Sequence, residues 1–232
     1  MAHLAVADGV EIAACTPHIL PGVYHNTGPQ IIAATNVLRR ALADAGIRLE
    51  LISGADAHMT PAFVSKLDAG EILTLGQSRY VLIELPRHVA PIRMEPFFFD
   101  ILDAAYVPIL THPERLIWIE DRYAAIKRLA SSGVWMQITS GSLIGKFGRH
   151  ARYWAERMLA EGIVHILASD AHDAIRRPPD LSRGWEAAAR WVGHCQATHL
   201  VSTRPRGVIK NVAPSNLPLP SDSIASSFSR RA

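Results

Sequence analysis

The sequence predicts an α/β protein built on a parallel β-sheet. Two observations carry this. Short runs rich in Val, Ile, Leu and aromatic residues alternate with longer helical stretches along almost the whole chain, the order that sets parallel strands side by side with helices on the sheet's faces. The runs are apolar throughout rather than alternating, and Gly, Pro or Ser bounds them, as in strands covered on both faces. Six or seven such strand–helix units can close into a barrel, with a doubly wound open sheet as the alternative.

Residues 1–9 read as the last turns of a helix running straight into a first strand at 10–15. A helix over 27–45 carries Ile31, Ala34, Leu38 and Leu42 on one stripe and stops at Gly46, which can take the left-handed conformation of a helix end. The second strand is 48–53, followed by a helix at 61–68. Strands at 80–85, 107–110, 134–139 and 164–168 alternate with helices at 94–104, 121–131, 149–160 and 181–193. Thr203 is placed to cap a last short helix through Asn211, with Pro205 in its first turn. From Pro214 the sequence PSNLPLPSDSIASSFSRRA is rich in Pro and Ser. The expected organisation is one domain over 1–211 and a disordered tail over 212–232.

Composition excludes several classes. The chain has 232 residues, 49% hydrophobic and 19% charged, enough apolar material for one sizeable core. A net charge of +3 is too small a surplus to argue for nucleic acid. No run reaches the roughly 18 apolar residues of a membrane span, so no membrane insertion is expected, and no secretory signal is read at the start. Cys15 and Cys195 cannot build a disulfide framework, and a reduced, cytoplasmic setting is expected. Histidine is the unusual component, with eleven residues.

In parallel α/β proteins functional groups gather at the carboxyl ends of strands. Here the strands are followed in turn by Thr16-Pro17-His18, Gly54-Ala55-Asp56-Ala57-His58, Glu84-Leu85-Pro86, Thr111-His112-Pro113-Glu114-Arg115, Thr139-Ser140-Gly141 and Ser169-Asp170-Ala171-His172. Any one of these is more often a capping Asp or a satisfied buried His; their repetition along one rim is not. His18, Asp56, Glu84, His112, Asp170 and His172 supply three imidazoles and three carboxylates, a donor set for borderline-hard divalent metals. That many ligands exceed what one ion takes from a catalytic site, so more than one metal is implied, with carboxylates bridging ions about 3.5–4 Å apart. Arg115 and Arg177 follow His112 and His172 closely. A guanidinium beside a metal cluster suits bidentate phosphate binding, which argues for phosphate ester hydrolysis over amide or sugar chemistry. Arg176 reads as a surface residue.

Other features read as structural. Neither cysteine begins a Cys-x5-Arg phosphatase loop, and Gly141-Ser-Leu-Ile-Gly145-Lys146 is one residue short of a P-loop. Ser142 is not in a Gly-x-Ser-x-Gly elbow. Phe97, Phe98 and Phe99 read as core, and His150, His165, His194 and His199 as structural. His25 and His88 lie in loops near the rim and are secondary candidates for substrate contact.

The ordered set TPHILPG (16–22), GADAH (54–58), YVLIELP (80–86), PILTHPER (108–115), QITSGSLIGKFG (137–148) and ILASDAH with RRPPDL (166–172 and 176–181) resembles the bacterial PHP-type tyrosine phosphatases of capsular and exopolysaccharide biosynthesis, a branch of the superfamily that also holds histidinol phosphatases. The resemblance covers about residues 2–211. It implies a distorted (β/α)7 PHP barrel, TIM-barrel-like, with two or three divalent ions, usually assigned Mn2+. It implies hydrolysis of phosphotyrosine on a bacterial tyrosine autokinase that controls polymer export, and leaves room for a homo-oligomer. By position, His18, Glu84, His112, Asp170 and His172 match the family's metal ligands, and Arg115 and Arg177 its phosphate-binding arginines. Asp56 stands where many relatives have Glu.

One departure accompanies the match. The family opens with a strand carrying His-x-His, followed closely by an Asp, all three binding metal. This sequence has none of them; His3 reads as helical with no His two residues away. The expectation is a start set downstream of the true one, which leaves the first strand out of this sequence; a true truncation would instead expose the sheet edge at 10–15. The alternatives are a small-molecule phosphoesterase of the histidinol-phosphatase kind, and an inactive remnant that binds a kinase.

Overall fold

A computed structural model describes residues 1–221. In chain order the elements are α1 (Ala2–Ala7), β1 (Ile12–Cys15), β2 (His18–Leu20), β3 (Tyr24–His25), α2 (Gly28–Asp44), β4 (Glu50–Ser53), β5 (Asp56–His58), α3 (Phe63–Asp68), β6 (Tyr80–Glu84), α4 (Met94–Asp103), β7 (Val107–Thr111), α5 (Ile119–Ser131), β8 (Trp135–Thr139), α6 (Ser140–Leu143), α7 (Gly148–Ala160), β9 (Ile166–Ala168), α8 (Leu181–Thr198) and α9 (Arg204–Ile209). The α/β class and the parallel sheet are as expected. The main sheet runs β3-β2-β5-β6-β7-β8-β9, parallel throughout except for the short β2–β3 hairpin. No helix among the described residues is long and apolar enough to cross a membrane.

Each of the first two expected strands is followed, after a break, by a second short strand where the sequence predicts loop. β1 pairs only with β4, and β2 resumes the ladder with β5. Pro17, at the break, has no N–H to give to a ladder. Across from it, Gly54 packs so closely that a Cβ would meet Leu75 Cδ2 at 2.8 Å. The pieces remain joined, because the Gly54 N–H donates to the Cys15 carbonyl at 3.0 Å and the Asp56 N–H to the Pro17 carbonyl at 3.2 Å. The break has a consequence for chemistry: His18 and Asp56 lie within strands, as cross-strand neighbours, and not in loops beyond them.

β6 shows why the central strands lack alternation. Val81 and Ile83 join the main core with Phe98, Ile101, Leu110, Ile126 and Leu129. Tyr80 and Leu82 point the other way, into a second cluster with Val107, Ile109, Trp135, Ile166 and Val208. Successive strand residues face opposite sides, so a strand apolar throughout must be covered twice. α9 and the residues after it provide the second cover. Leu217 packs on this cluster, against Gly207, where a Cβ would lie 2.4 Å from Leu217 Cδ2. The Tyr80 hydroxyl donates to the Val212 carbonyl at 2.7 Å, and the buried Arg204 Nε to the Pro218 carbonyl at 2.7 Å. The expected tail over 212–232 is therefore corrected for 212–221: its Pro and Leu residues are a strap under the sheet. Residues 222–232 lie outside the described residues.

The last helices also differ from expectation. α8 is broken at Gly193 (φ 76, ψ 162), where the expected helix ends, and a further helical stretch runs on from there through a π-helical turn (His199–Thr203) into α9. Thr203 is itself helical, with φ −62 and ψ −51, and caps nothing. The N-terminus of α8 is capped from elsewhere. Asp8 Oδ2 accepts from the Leu181 N–H at 2.6 Å and the Ser182 N–H at 3.1 Å, and the Ser182 hydroxyl donates to Oδ1. The end of α1 is thus fastened across to α8. Asp8→Ala leaves these N–H groups without their acceptor and is expected to cost about 1 kcal/mol, lowering the melting temperature by roughly 2–4 °C; an unchanged melting curve would show that the cap contributes nothing.

Candidate metal centre

The sheet brings His18, Asp56 and His112 of the expected side chains together around Glu84. Glu84 ends β6, His18 and Asp56 open β2 and β5, and His112 follows β7 in a left-handed conformation at φ 35. Its N–H donates to the Gln137 carbonyl at 2.8 Å, which holds the turn. Glu84 Oε2 lies 3.0 Å from His18 Nδ1 and 2.7 Å from His58 Nε2, while Glu84 Oε1 lies 3.4 Å from His112 Nε2. Asp56 Oδ2 is 4.0 Å from His18 Nδ1 and 3.9 Å from His112 Nε2. Two groups of donor atoms result, His18–His58–Glu84 and Asp56–Glu84–His112, each within 4.8 Å.

The electrostatics of the cluster follow from burial and mutual contact. Burial, reinforced by the Glu84 charge, pushes the Asp56 carboxyl up to about 8. Burial also opposes charge on Glu84, but its contacts with His18 and His58 and the nearby His112 outweigh that, and its carboxyl ends well below the usual range. His112 is drawn down to about 4 by burial, which leaves it a neutral imidazole with a lone pair to give. Contact with Glu84 raises His18, yet its Nδ1 is buried with no aligned hydrogen bond among the described residues. A neutral imidazole, an unbonded ring nitrogen and a carboxylate reaching two groups are the donors a pair of divalent cations requires. The residues fit such ions.

The other two expected ligands are placed differently. Asp170, at φ 50 just after β9, accepts at Oδ2 from Arg115 Nη1 at 2.8 Å and from Arg177 Nη2. Both guanidinium groups lie over the Phe147 ring, at 4.3 and 5.5 Å from its centroid. Nε of each arginine is buried and donates to nothing among the described residues. His172 Nδ1 is 3.0 Å from the Asp170 carbonyl, and its ring is 6.2 Å from that of His18. Asp170 and His172 thus border the Glu84 cluster without joining either donor group.

Three residues in the site carry more than the sequence indicated. His58 contacts Glu84; it is two residues from Asp56, hence on the same face of β5, a signal legible only once Asp56 is known to lie in a strand. Tyr24, not the neighbouring His25, meets the site, with its ring stacked on His18 at 5.4 Å. Glu114 is fully buried and pushed up to about 7 by burial. Its Oε1 accepts from the Thr139 N–H at 3.0 Å and the Ser142 hydroxyl at 2.6 Å, which pins the turn bearing Arg115 to the end of β8. Ser142 is accordingly a structural donor, as expected. His165 is structural as expected, stacked on Trp135 at 5.0 Å; Phe97 and Phe98 are core, whereas Phe99, expected with them, is exposed on the outer side of α4. Arg176 is exposed.

An α/β sheet with imidazoles and carboxylates gathered at its carboxyl edge, beside paired guanidinium groups, defines the class of metal-dependent phosphate ester hydrolases. Comparison with known proteins agrees. Residues 1–210 match the family described as Capsular polysaccharide synthesis, CpsB/CapC, and the chain belongs to that family. It is 32% identical over 177 residues to the tyrosine-protein phosphatase YwqE of Bacillus subtilis, covering 76% of this chain and 70% of that protein. It is 28% identical over 211 residues to the tyrosine-protein phosphatase CpsB of Streptococcus pneumoniae, covering 87% and 85%. A crystal structure from work on these two, described as unique metal-dependent tyrosine phosphatases, superposes with a TM-score of 0.87 at 28% identity over 96% of this chain and 90% of that one.

The raised Asp56 carboxyl gives a pH prediction. Below about 8 it holds a proton, which a cation must displace before binding. Mn2+ affinity, titrated between about pH 6 and 9, is expected to rise with pH by up to about tenfold per unit for one displaced proton and then to level off. A flat profile would remove Asp56 from the ligand set.

Proposed function

We propose that this protein is a metal-dependent protein-tyrosine phosphatase that removes phosphate from phosphotyrosine on a bacterial tyrosine autokinase of capsule and exopolysaccharide synthesis. The observation that carries the reading is the convergence of Arg115 and Arg177 on one anionic oxygen, Asp170 Oδ2, beside the Glu84 cluster. The ions are read as Mn2+, held by His18, Asp56, Glu84, His112, Asp170 and His172. Bound ions supply charge neutralisation and an activated water for in-line attack on phosphorus.

The chain's own residues do the rest. A phosphate dianion carries more charge than the Asp170 carboxylate and more acceptor oxygens. It can also take the two buried Nε–H donors that Asp170 leaves unused. Arg115 and Arg177 then hold the phosphoryl oxygens as charge shifts onto them, and Phe147 fixes the planes of both guanidinium groups from below. Tyr24, half exposed on His18, borders the place where a substrate ring enters. Phenolate is a better leaving group than an alkoxide, so a strong general acid is not required. Asp170, displaced from the arginines, becomes free to serve the cation side.

The finer reading of the fold belongs here too. The sheet is taken as a distorted (β/α)7 barrel of PHP type over residues 1–211, in which a first strand with a His-x-His pair is not among these 232 residues. The closeness of His18 and His172 across the two sides of the sheet supports that reading, as does the tie from Asp8 to α8. A cytoplasmic setting is consistent with two free cysteines.

Two measurements test the proposal. Hydrolysis of a phosphotyrosine peptide is expected with added Mn2+ and is expected to stop with excess chelator; turnover that survives chelation, or preference for histidinol phosphate, would sink it. Arg115→Ala is expected to lower turnover by about 10²–10³-fold with metal content unchanged, and an unaltered rate would take Arg115 out of the site.

A further inference from the structure

The ligand set just proposed leaves out His58. It closes β5 directly opposite Glu84 in the sheet register, and its side chain is 14% exposed. Its Nε2 meets Glu84 on Oε2, the oxygen that also faces His18 Nδ1, at 2.7 and 3.0 Å respectively. His112 meets the other oxygen, Oε1. The two sides of one carboxylate therefore serve two separate sets of donors, and Asp56 belongs to the His112 side. Metal–ligand bonds of about 2.1 Å at right angles set neighbouring donor atoms about 3.0 Å apart, the spacing found around Oε2. Within the same small volume His18 Nδ1 is buried without an aligned hydrogen bond among the described residues.

We propose that His18, His58 and Glu84 Oε2 form a distinct cation site of two imidazoles and one carboxylate, joined through Glu84 to the Asp56–His112 site. The donor set selects a borderline divalent ion such as Mn2+, Fe2+ or Zn2+. The site is more imidazole-rich than its neighbour and lies nearer the exposed Tyr24. The competing role for His58 is that of a hydrogen-bond donor that only orients Glu84. The two roles differ in consequence. An orienting histidine would weaken both sites together, because Glu84 serves both; a ligand weakens one and takes one nitrogen from the metal.

The inference rests on the metal-dependent reading, and its test separates the two. Mn2+ binding to the full chain is measured by equilibrium titration, and coordinated imidazole nitrogens are counted by pulsed electron paramagnetic resonance. Wild type is expected to show two classes of site. His58→Gln is expected to weaken one class by about tenfold or more, leave the other unchanged, and lower the imidazole count by one. An unchanged count in His58→Gln, or equal weakening of both classes, overturns the site. No Mn2+ binding by wild type overturns the metal-dependent reading and the site with it. If His58→Gln does not fold, diethylpyrocarbonate footprinting of wild type decides: His58 protected by Mn2+ supports the site, and His58 modified at the same rate with and without Mn2+ overturns it.

Discussion

Glu84 is the constraint on which the centre depends. A carboxylate at the end of a buried strand is costly unless its charge is answered. Here His58, His18 and His112 answer it from β5, β2 and the turn after β7. Burial, and after it repulsion from the Glu84 charge that these contacts preserve, keeps Asp56, a short distance away, from ionising readily. The cluster is thus deficient in positive charge, and divalent cations are what such a set of groups binds.

A second balance stands beside the first. Arg115 and Arg177 are cations brought close together over one aromatic ring, and a single carboxylate, Asp170, holds both. Their repulsion makes the place between them attractive to any anion, the more so to one of higher charge. Glu114 and Ser142 lock the turn that carries Arg115, so that this attraction is directed to a fixed point. The Glu84 cluster and the guanidinium pair are neighbours through Asp170, which holds both arginines, and His172, whose ring lies 6.2 Å from that of His18.

The sheet makes this possible by being covered on both faces. Strands apolar throughout have few ways to shift register without exposing a core residue on one side or the other, and their ends are correspondingly well placed. The strap over 212–221 sets Leu217 on the second cluster, and the clamp from Asp8 ties the segment before β1 to the start of α8.

The sequence by itself determined the class of fold and named most residues of the candidate site. Buried parallel strands write their burial on both faces directly into residue type, and the rule that function gathers at strand ends picked out His18, Asp56, Glu84, His112, Asp170 and His172 from one pass along the chain. What only the tertiary structure decided depended on contacts between distant segments. The break at Pro17 and Gly54 moved His18 and Asp56 into strands, and with that turned His58 toward Glu84. The strap was hidden because Pro and Ser composition resembles disorder until Leu217 finds Gly207 and Arg204 finds Pro218. The pairing of Asp170 with both arginines was hidden because a charge does not declare its partner in sequence. Local patterns report which residues are apolar and where a strand ends; which charges meet across the sheet is fixed only when the strands are laid side by side.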